Sequence, residues 1–415
     1  MPHIAIIGAG ITGVTTAYSL LDHGHTVTLL DRHRYAAMET SFANGGQLSA
    51  SNAEVWNNWS TVIKGIRWMM QRDAPLLMSP SPNWHKYSWM AEFIANIRNY
   101  RQNTVATTKL AIMARRRLFE IAERENIDFD HEMRGILHVY WDDASFRHAL
   151  NVNDLLVAGG LDRRPVTPSE IRKIEPALHG DVHGGFYTPS DSTGDIHKFT
   201  NALARACERR GARFIFDADV RHMERGDGFR ITYASRDGTG PLEALKADAV
   251  VVCAGTGSRQ LASMLGDRVN IYPVKGYSIT VHLEDEQSQQ AAPWVSLLDD
   301  RAKIVTSRLG EGRFRVAGTA EFAGMNRDIR DDRVRPLVDW TRALFPGVDT
   351  RRVVSWAGLR PMTPSMMPRV GRGRQPGVFY NTGHGHLGWT LSAATAEMIG
   401  EIISADLPAQ SSMAA

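Results

Sequence analysis

The chain has 415 residues, 43% of them hydrophobic and 22% charged, with a formal net charge of +3. That length favours two domains over one, and a charge so near neutral gives no footing for a nucleic-acid partner. Cys207 and Cys253 lie too far apart for metal spacing, which excludes a disulfide framework, fits a reducing compartment and leaves no metal to expect.

His3 to Ile7 is a short apolar run, Ile11 to His23 carries helical periodicity, and His25 to Asp31 is a second apolar run. Together they form a strand–turn–helix–strand unit. Its turn, IIGAGITG, places Gly8, Gly10 and Gly13 in G-x-G-x-x-G spacing. Gly8 permits the tight turn, Gly10 lets a pyrophosphate approach the backbone, and Gly13 lets helix and strand pack closely. The phosphate charge would rest against the helix N-terminus, flanked by Ala9, Ile11 and Thr12. Asp31 closes the second strand, where an acid accepts hydrogen bonds from a ribose and repels a 2′-phosphate; Arg32 follows it. The rival reading, a chance glycine turn, explains neither the helix nor the terminal acid.

The stretch ETSFANGGQLSAS comes next and offers Thr40, Ser41, Gly45, Gly46, Gln47 and Leu48. Such a small-residue segment would run beside the pyrophosphate and bring backbone amides to a flavin; the bland alternative is a polar loop. Between Glu54 and Tyr100 lie Trp56, Trp59, Trp68, Trp84 and Trp89. Three readings fit them: the core of a helical lid, a protein-partner surface, or an interfacial patch over residues 55–98 docking on a membrane, helped by Lys64, Arg67 and Arg72.

Helical patterns follow at Thr104–Glu125 and Ser169–Ile174, with Gly135–Trp141 alternating between them like a half-buried strand. The pairs Arg115–Arg117 and Arg209–Arg210 read as solvated helix faces. Phe199–Arg210 is helical, Arg213–Phe216 and Val220–Glu224 are strand-like, and Val220 is a nucleotide neighbour. Ala249–Ala254 is a continuous apolar run of the buried parallel type. It ends in a turn with Cys253, Ala254 and Gly255, where Cys253 reads as a packing residue rather than a redox thiol. Asn270–Leu283, Lys303–Ser307 and Arg313–Thr319 read as strands of a larger antiparallel sheet, and Val334–Phe345 as a helix.

The chain closes with strand Val378–Asn381, the turn NTGHGHLGWT and helix Ser392–Ser404. This second glycine turn brings Gly383, Gly385, Leu387, Gly388, Trp389 and Thr390 to a helix N-terminus. Directed at the N1/O2 edge of a flavin, that positive end stabilises an anionic reduced ring. A nicotinamide gains no negative charge on reduction, so the pair of turns favours FAD. No run of about 18 apolar residues occurs and no secretory signal is visible. The expected location is cytoplasmic, with peripheral contact at the inner face of the membrane as a variant.

Similar elements return after long excursions. The expected fold is therefore α/β, with a Rossmann-type FAD domain interleaved with a substrate domain built on an antiparallel sheet. The FAD domain is assigned 1–57, 165–270 and 354–408, the substrate domain 58–164 and 271–353, and a disordered tail 409–415.

Read together, ETSFANGGQ, DSTGDIHKFT, YPVKGYSIT, GLRPMTP and NTGHGHLGWT resemble the bacterial D-amino-acid dehydrogenase small subunit, within the D-amino-acid oxidase and glycine oxidase group. IRWMMQRDAPL, Ile66 to Leu77, is similar to that family's early helical region. The resemblance runs from about Ile4 to about Ile399. It implies non-covalent FAD, oxidation of D-amino acids to 2-oxo acids and ammonia, and electrons passed to a quinone or respiratory-chain acceptor. It also implies that Arg360, in the GLRP position, binds the substrate carboxylate, assisted by a sheet tyrosine, Tyr277 first and Tyr272 second. Gly358, in the same stretch as Arg360, is a candidate contact for FAD.

Two departures stand out. Ser365, Met366 and Met367 follow MTP where many members carry Asp-Gly; bordering the cavity, such thioethers would suit a larger or more apolar substrate. His386 stands where glycine oxidases place a second arginine, leaving Arg360 as a single strong anchor. His384, His386 and Gln47 are candidates for touching flavin or substrate, each weighed against a role in shaping its turn. Hydride transfer from the α-carbon to flavin N5 needs alignment and a neutral amine more than an enzyme base. Two alternatives remain: an oxygen-using oxidase of glycine, sarcosine or a cyclic imino acid, and a flavin-binding sensor without turnover.

Overall fold

The computed structural model describes residues 1–65 in full, the backbone of 66–68, and residues 76–79, 82–238 and 240–408. The expected tail at 409–415, Arg72, most of the stretch 66–77, and the side chains of Arg67 and Trp68 lie outside the described residues.

The opening strand–turn–helix–strand unit sits at the middle of a six-stranded sheet. Its order is Arg369–Arg372, Val378–Thr382, Ala249–Val252, His3–Ile7, Thr26–Leu30, Arg213–Ile215. Every neighbouring pair is parallel except the edge pair of Arg369–Arg372 with Val378–Thr382. Parallel strands need cover on both faces, which is why these runs are apolar without alternation. On one face Ile4, Ile6, Ala249 and Val251 pack with residues of the helices Ile11–Asp22, Ile196–Arg209 and Gly388–Asp406. On the other, Ala5, Ile7, Val250 and Val252 pack with the meander Ala218–Gly226, Gly228–Ser235, Glu243–Ala247. The last helix begins at Gly388, inside the glycine turn itself, four residues before the expected Ser392.

The second sheet runs Val353–Met362, Tyr272–His282, Arg313–Phe322, Ile304–Arg308, Ser296–Asp299, Ile136–Tyr140, Gly184–Thr188, Arg164–Val166, with Leu76–Met78 beside Arg313–Phe322. It is largely but not wholly antiparallel. Ser296–Asp299 pairs parallel with Ile136–Tyr140, and Arg313–Phe322 with Leu76–Met78. Both partners arrive through long connections, as parallel pairing requires. Three of its strands, Arg164–Val166, Gly184–Thr188 and Val353–Met362, come from beyond the domain boundaries drawn at 165 and 354. The strand Ile136–Tyr140 does not alternate in burial; all five residues are buried. Leu137 and Val139 join the sheet's main core, while His138 meets Ser51 and Tyr140 packs with Ala149 of the helix Asp143–Ala158.

The arginines expected on solvated faces are in part committed. Arg115 pairs with the buried Asp191 at 2.7 Å, and Arg117 and Arg210 converge on Asp22 at 3.3 and 2.7 Å. Asp191 also accepts from the amides of Ala50 and Ser51, each at 2.9 Å. That fixes the segment after the small-residue stretch against the sheets.

Candidate active site

A cavity of about 630 Å³ is lined by residues of both sheets and both glycine turns. This is an ordinary size for a deep ligand site. At one end stand Gly8, Gly10, Ile11, Thr12, Asp31 and Arg32. Gly8 has φ +110°, and a Cβ there would come within 2.7 Å of the Cys253 carbonyl oxygen; a Cβ at Gly13 would overlap the Gly8 carbonyl. Gly10 differs, because its nearest neighbour would be Ser41 Oγ at 3.6 Å, so its missing side chain leaves the turn open. Asp31 is held by the amides of Ala9 and His33 at 2.7 and 2.8 Å. Its remaining lone pairs can accept from a ribose.

The small-residue stretch lines the middle of the cavity. Ser41 Oγ accepts from the Ile11 amide at 3.1 Å, and Thr40 donates to the Leu359 carbonyl at 3.0 Å. Gly45 and Gly46 run flush against the strand Ile304–Arg308: a Cβ on them would come within 2.6 Å of Val305 Cγ2 and 2.8 Å of Ser307 Oγ. The Gln47 amide donates to Ser296 Oγ at 2.7 Å and the Leu297 carbonyl at 3.1 Å, so the sheet fixes its orientation. Val220, Cys253, Ala254 and Gly255 complete this wall, and burial pushes the Cys253 thiol up to about 12, which makes it inert. Ala9 and Leu48 do not line the cavity. Both side chains are core, because each follows its neighbours onto the packed face of its turn.

Arg360 and Gly358 face the cavity from the strand Val353–Met362. The Arg360 guanidinium lies over Gly276, its Nη1 donates to the Thr319 carbonyl at 2.9 Å, and burial lowers its pKa to about 10. Among the described residues it has no carboxylate partner. Thr319 is itself unusual, a β-branched residue at φ +61° whose hydroxyl is buried without a partner. The two sheet tyrosines differ: Tyr277 is among the residues lining the cavity and Tyr272 is not. In the register Gly276 opposes Gly358 and Tyr277 opposes Ala357, so alternation turns the Tyr277 side chain away from the face that carries Arg360. Its hydroxyl donates to Glu321 at 2.7 Å; burial first, and that carboxylate second, raise its pKa. Tyr272 lines no part of the cavity; it packs with Trp89 and Phe322.

The last glycine turn reaches the cavity through Gly383, Gly385, Leu387, Gly388, Trp389 and Thr390. Its two histidines separate cleanly. His384 Nε2 donates to Thr395 Oγ1 at 2.9 Å, tying the turn to its own helix, and burial lowers its pKa to about 3. His386 stacks on Trp56, with ring centroids 4.8 Å apart and planes 21° apart, and donates from Nε2 to the Asn52 carbonyl at 3.3 Å. Burial first, and the Arg360 charge less, lower its pKa to about 4, so it is neutral. The methionines after MTP do not border the cavity: Met366 is core, and Met367 accepts from Thr107 at 3.1 Å.

Residues not expected from sequence also line this space: Glu54, Trp56, His138, Tyr140, Arg163 and Thr319. Glu54 and Trp56 directly follow the small-residue stretch, which was a usable signal. His138 and Tyr140 share one face of the expected strand Gly135–Trp141 at i, i+2 spacing, a usable signal too, whereas Arg163 and Thr319 carry no such pattern.

The residues present fit FAD. The opening at Gly10 admits a pyrophosphate, Asp31 a ribose, and the flush Gly45–Gly46 segment a flat ring, all within one continuous cavity that ends at a helix N-terminus. Fold and site therefore define a flavin-dependent oxidoreductase. Residues 3–402 match the DAO family model, FAD dependent oxidoreductase, and the chain belongs to that family, with FAD as its cofactor. It is 68% identical to D-amino acid dehydrogenase 3 of Mesorhizobium japonicum over 415 residues, covering 100% of both chains. It is 41% identical to D-amino acid dehydrogenase of Paramagnetospirillum magneticum, covering 97% of this chain and 94% of that one. Among solved structures, glycine oxidase from Geobacillus kaustophilus superposes with a TM-score of 0.74 at 19% identity, over 98% of this chain and 95% of that one. L-proline dehydrogenase from P. horikoshii gives 0.75 at 16% identity, over 97% and 93%. At such identities these two speak to the fold alone.

Proposed function

We propose that the chain oxidises D-amino acids to 2-oxo acids and ammonia and hands the electrons to a quinone or another respiratory acceptor. The observation that carries this reading is Arg360, a half-buried guanidinium that faces the cavity with no carboxylate partner among the described residues. A charge of that kind calls for a complementary ligand, and its planar fork suits a carboxylate. The identity shared with enzymes named D-amino acid dehydrogenases supports the D series.

FAD, when bound, supplies at N5 the acceptor for the hydride that leaves the α-carbon. The chain's own residues bind and orient. Arg360 holds the carboxylate, and the neutral His386–Trp56 stack forms an uncharged wall beside it. The N-terminus of Gly388–Asp406, which reaches the cavity, would place its partial positive charge where it could stabilise a reduced flavin's N1/O2 edge. The amine loses a proton as its α-carbon loses hydride, and water then hydrolyses the imine to the 2-oxo acid and ammonia. No residue is assigned as general base.

The nucleotide fold is assigned to residues 1–57, 165–270 and 354–408, apart from the strands that pair in the larger sheet. Peripheral membrane contact would use Trp59, Ile63 and Trp84, which are 60%, 56% and 83% exposed, with Lys64 beside them. No helix among the described residues is long and apolar enough to cross a membrane.

Anaerobic mixing of the FAD-loaded enzyme with D- and L-amino acids tests the substrate. Bleaching of the flavin by D forms alone is expected, and a flavin that stays oxidised throughout sinks the reading. Turnover with a soluble quinone should exceed turnover with oxygen; stoichiometric peroxide with no gain from quinone would place the chain among oxidases.

A further inference from the structure

Beyond Arg360 the cavity has a second charged end. Glu54 and Arg163 both line it, and among the described residues neither forms an ion pair. Arg163 is 5% exposed. Its guanidinium lies over Phe186 at 4.1 Å, donates to Asn153 at 3.1 Å and to the Tyr140 hydroxyl at 3.4 Å, and leaves Nε buried without a partner. The Glu54 carboxylate accepts from the Tyr100 hydroxyl at 2.6 Å. Among the described residues the two share no hydrogen bond or ion pair, although both line the one cavity. Exposed His148 and Lys303 line the same region, so it is a mouth to solvent.

A half-buried carboxylate and a buried guanidinium, neither in an ion pair among the described residues and both facing one space, are costly unless something fills the gap. Two opposite charges set apart across a cavity match a ligand that carries both an ammonium and a carboxylate. We propose that Glu54 and Arg163 form a second binding site for a zwitterionic amino acid, a vestibule through which the substrate passes on its way to Arg360. Arg163 takes the carboxylate and Glu54 the ammonium. The strand of Tyr140 lies five strand spacings from that of Arg360, on the order of 24 Å along the sheet, so one amino acid cannot span both. The identity of the ligand rests on the proposed amino-acid oxidation; the complementary pair itself does not.

The test is equilibrium binding of D-alanine to FAD-loaded enzyme reduced by dithionite under argon, where no turnover occurs. Two sites are expected in the unmodified chain. Arg360→Ala should retain one of them, and Glu54→Gln or Arg163→Lys should weaken that one at least tenfold. Propionate and ethylamine, each half of the zwitterion, should bind it at least tenfold more weakly than D-alanine. Flavin absorbance per chain confirms that each variant is intact, and Glu54→Gln, which keeps shape and volume, serves if Arg163→Lys is not. A single site, lost in Arg360→Ala and kept in Glu54→Gln, overturns the vestibule and leaves the Arg360 reading standing. A single site with the opposite pattern supports the vestibule and removes the Arg360 anchor.

Discussion

The guanidinium of Arg360 lies directly over Gly276 of the neighbouring strand, in space that any Cβ at 276 would occupy. The glycine in YPVKGYSIT is thus the floor on which the arginine rests. Gly276→Ala should displace the guanidinium, which can swing aside without disturbing the backbone. A buried charged contact is worth about 3 kcal/mol, so kcat/KM for D-alanine should fall about 100-fold. FAD content should be unchanged. Since both changes remove one interaction, the double variant with Arg360→Ala should be little worse than either alone. Additive losses would show that Gly276 acts elsewhere.

Tyr277 gives the opposite expectation. Its hydroxyl is committed to Glu321 on the far face of the strand, where Lys275 approaches the same carboxylate at 3.4 Å. Tyr277→Phe should leave KM for D-alanine within about twofold, while unfolding free energy drops by about 1–2 kcal/mol through the lost hydrogen bond. A large KM effect with unchanged stability would return the tyrosine to the substrate.

These two residues mark where sequence reading reaches its limit. The G-x-G-x-x-G turn, Asp31 and the apolar run before Cys253 were legible because each is local: spacing, period and turn chemistry are written in adjacent residues. Arg360 was legible because an arginine in an apolar stretch demands an anion. The face on which Tyr277 projects depends on its register against Val353–Met362, a pairing across about 80 residues that no short window contains. Glu54 and Arg163 line one cavity across more than 100 residues of sequence, Arg163 being brought there by the pairing of Arg164–Val166 with Gly184–Thr188. The Met366–Met367 departure misled for a related reason, since the loop turns at Met366, φ +64°, which sends that side chain into the core and leaves Met367 against Thr107 rather than in the cavity.

The glycines of the first turn separate cofactor binding from folding. Gly10 has room for a methyl group in the bare fold, whereas Gly13 has none against the Gly8 carbonyl. Gly10→Ala should therefore fold, with a thermal midpoint near that of the unmodified chain when both lack FAD. It should nevertheless bind FAD at least tenfold more weakly, because the methyl group intrudes where the pyrophosphate approaches the backbone. Gly13→Ala should lose soluble protein outright. Equal FAD affinity in Gly10→Ala would move the pyrophosphate away from this turn.

The histidines of the last turn, His384 buried and His386 half-buried, tie stability to pH with a definite sign. His384 and His386 have folded pKa values lowered to about 3 and about 4 by burial, against about 6.5 in an unfolded chain. Between these limits the unfolded chain binds more protons than the folded one. Their contribution is therefore complete above about pH 6.5 and is lost as the pH falls toward 4 and 3, at up to about 1.4 kcal/mol per pH unit for each. Urea unfolding at pH values from 7 to 4.5 should show that decline, and His384→Gln should make it shallower. The Thr395 hydrogen bond of His384 requires the neutral ring to donate, as Thr395 gives its own proton to the Ser392 carbonyl at 3.1 Å. Activity follows a different rule. With His386 already neutral well below physiological pH, kcat/KM should show no histidine ionisation between pH 6 and 8 that disappears in His386→Asn. An ionisation in that window, abolished by the substitution, would mean that His386 titrates against the substrate rather than resting neutral on Trp56.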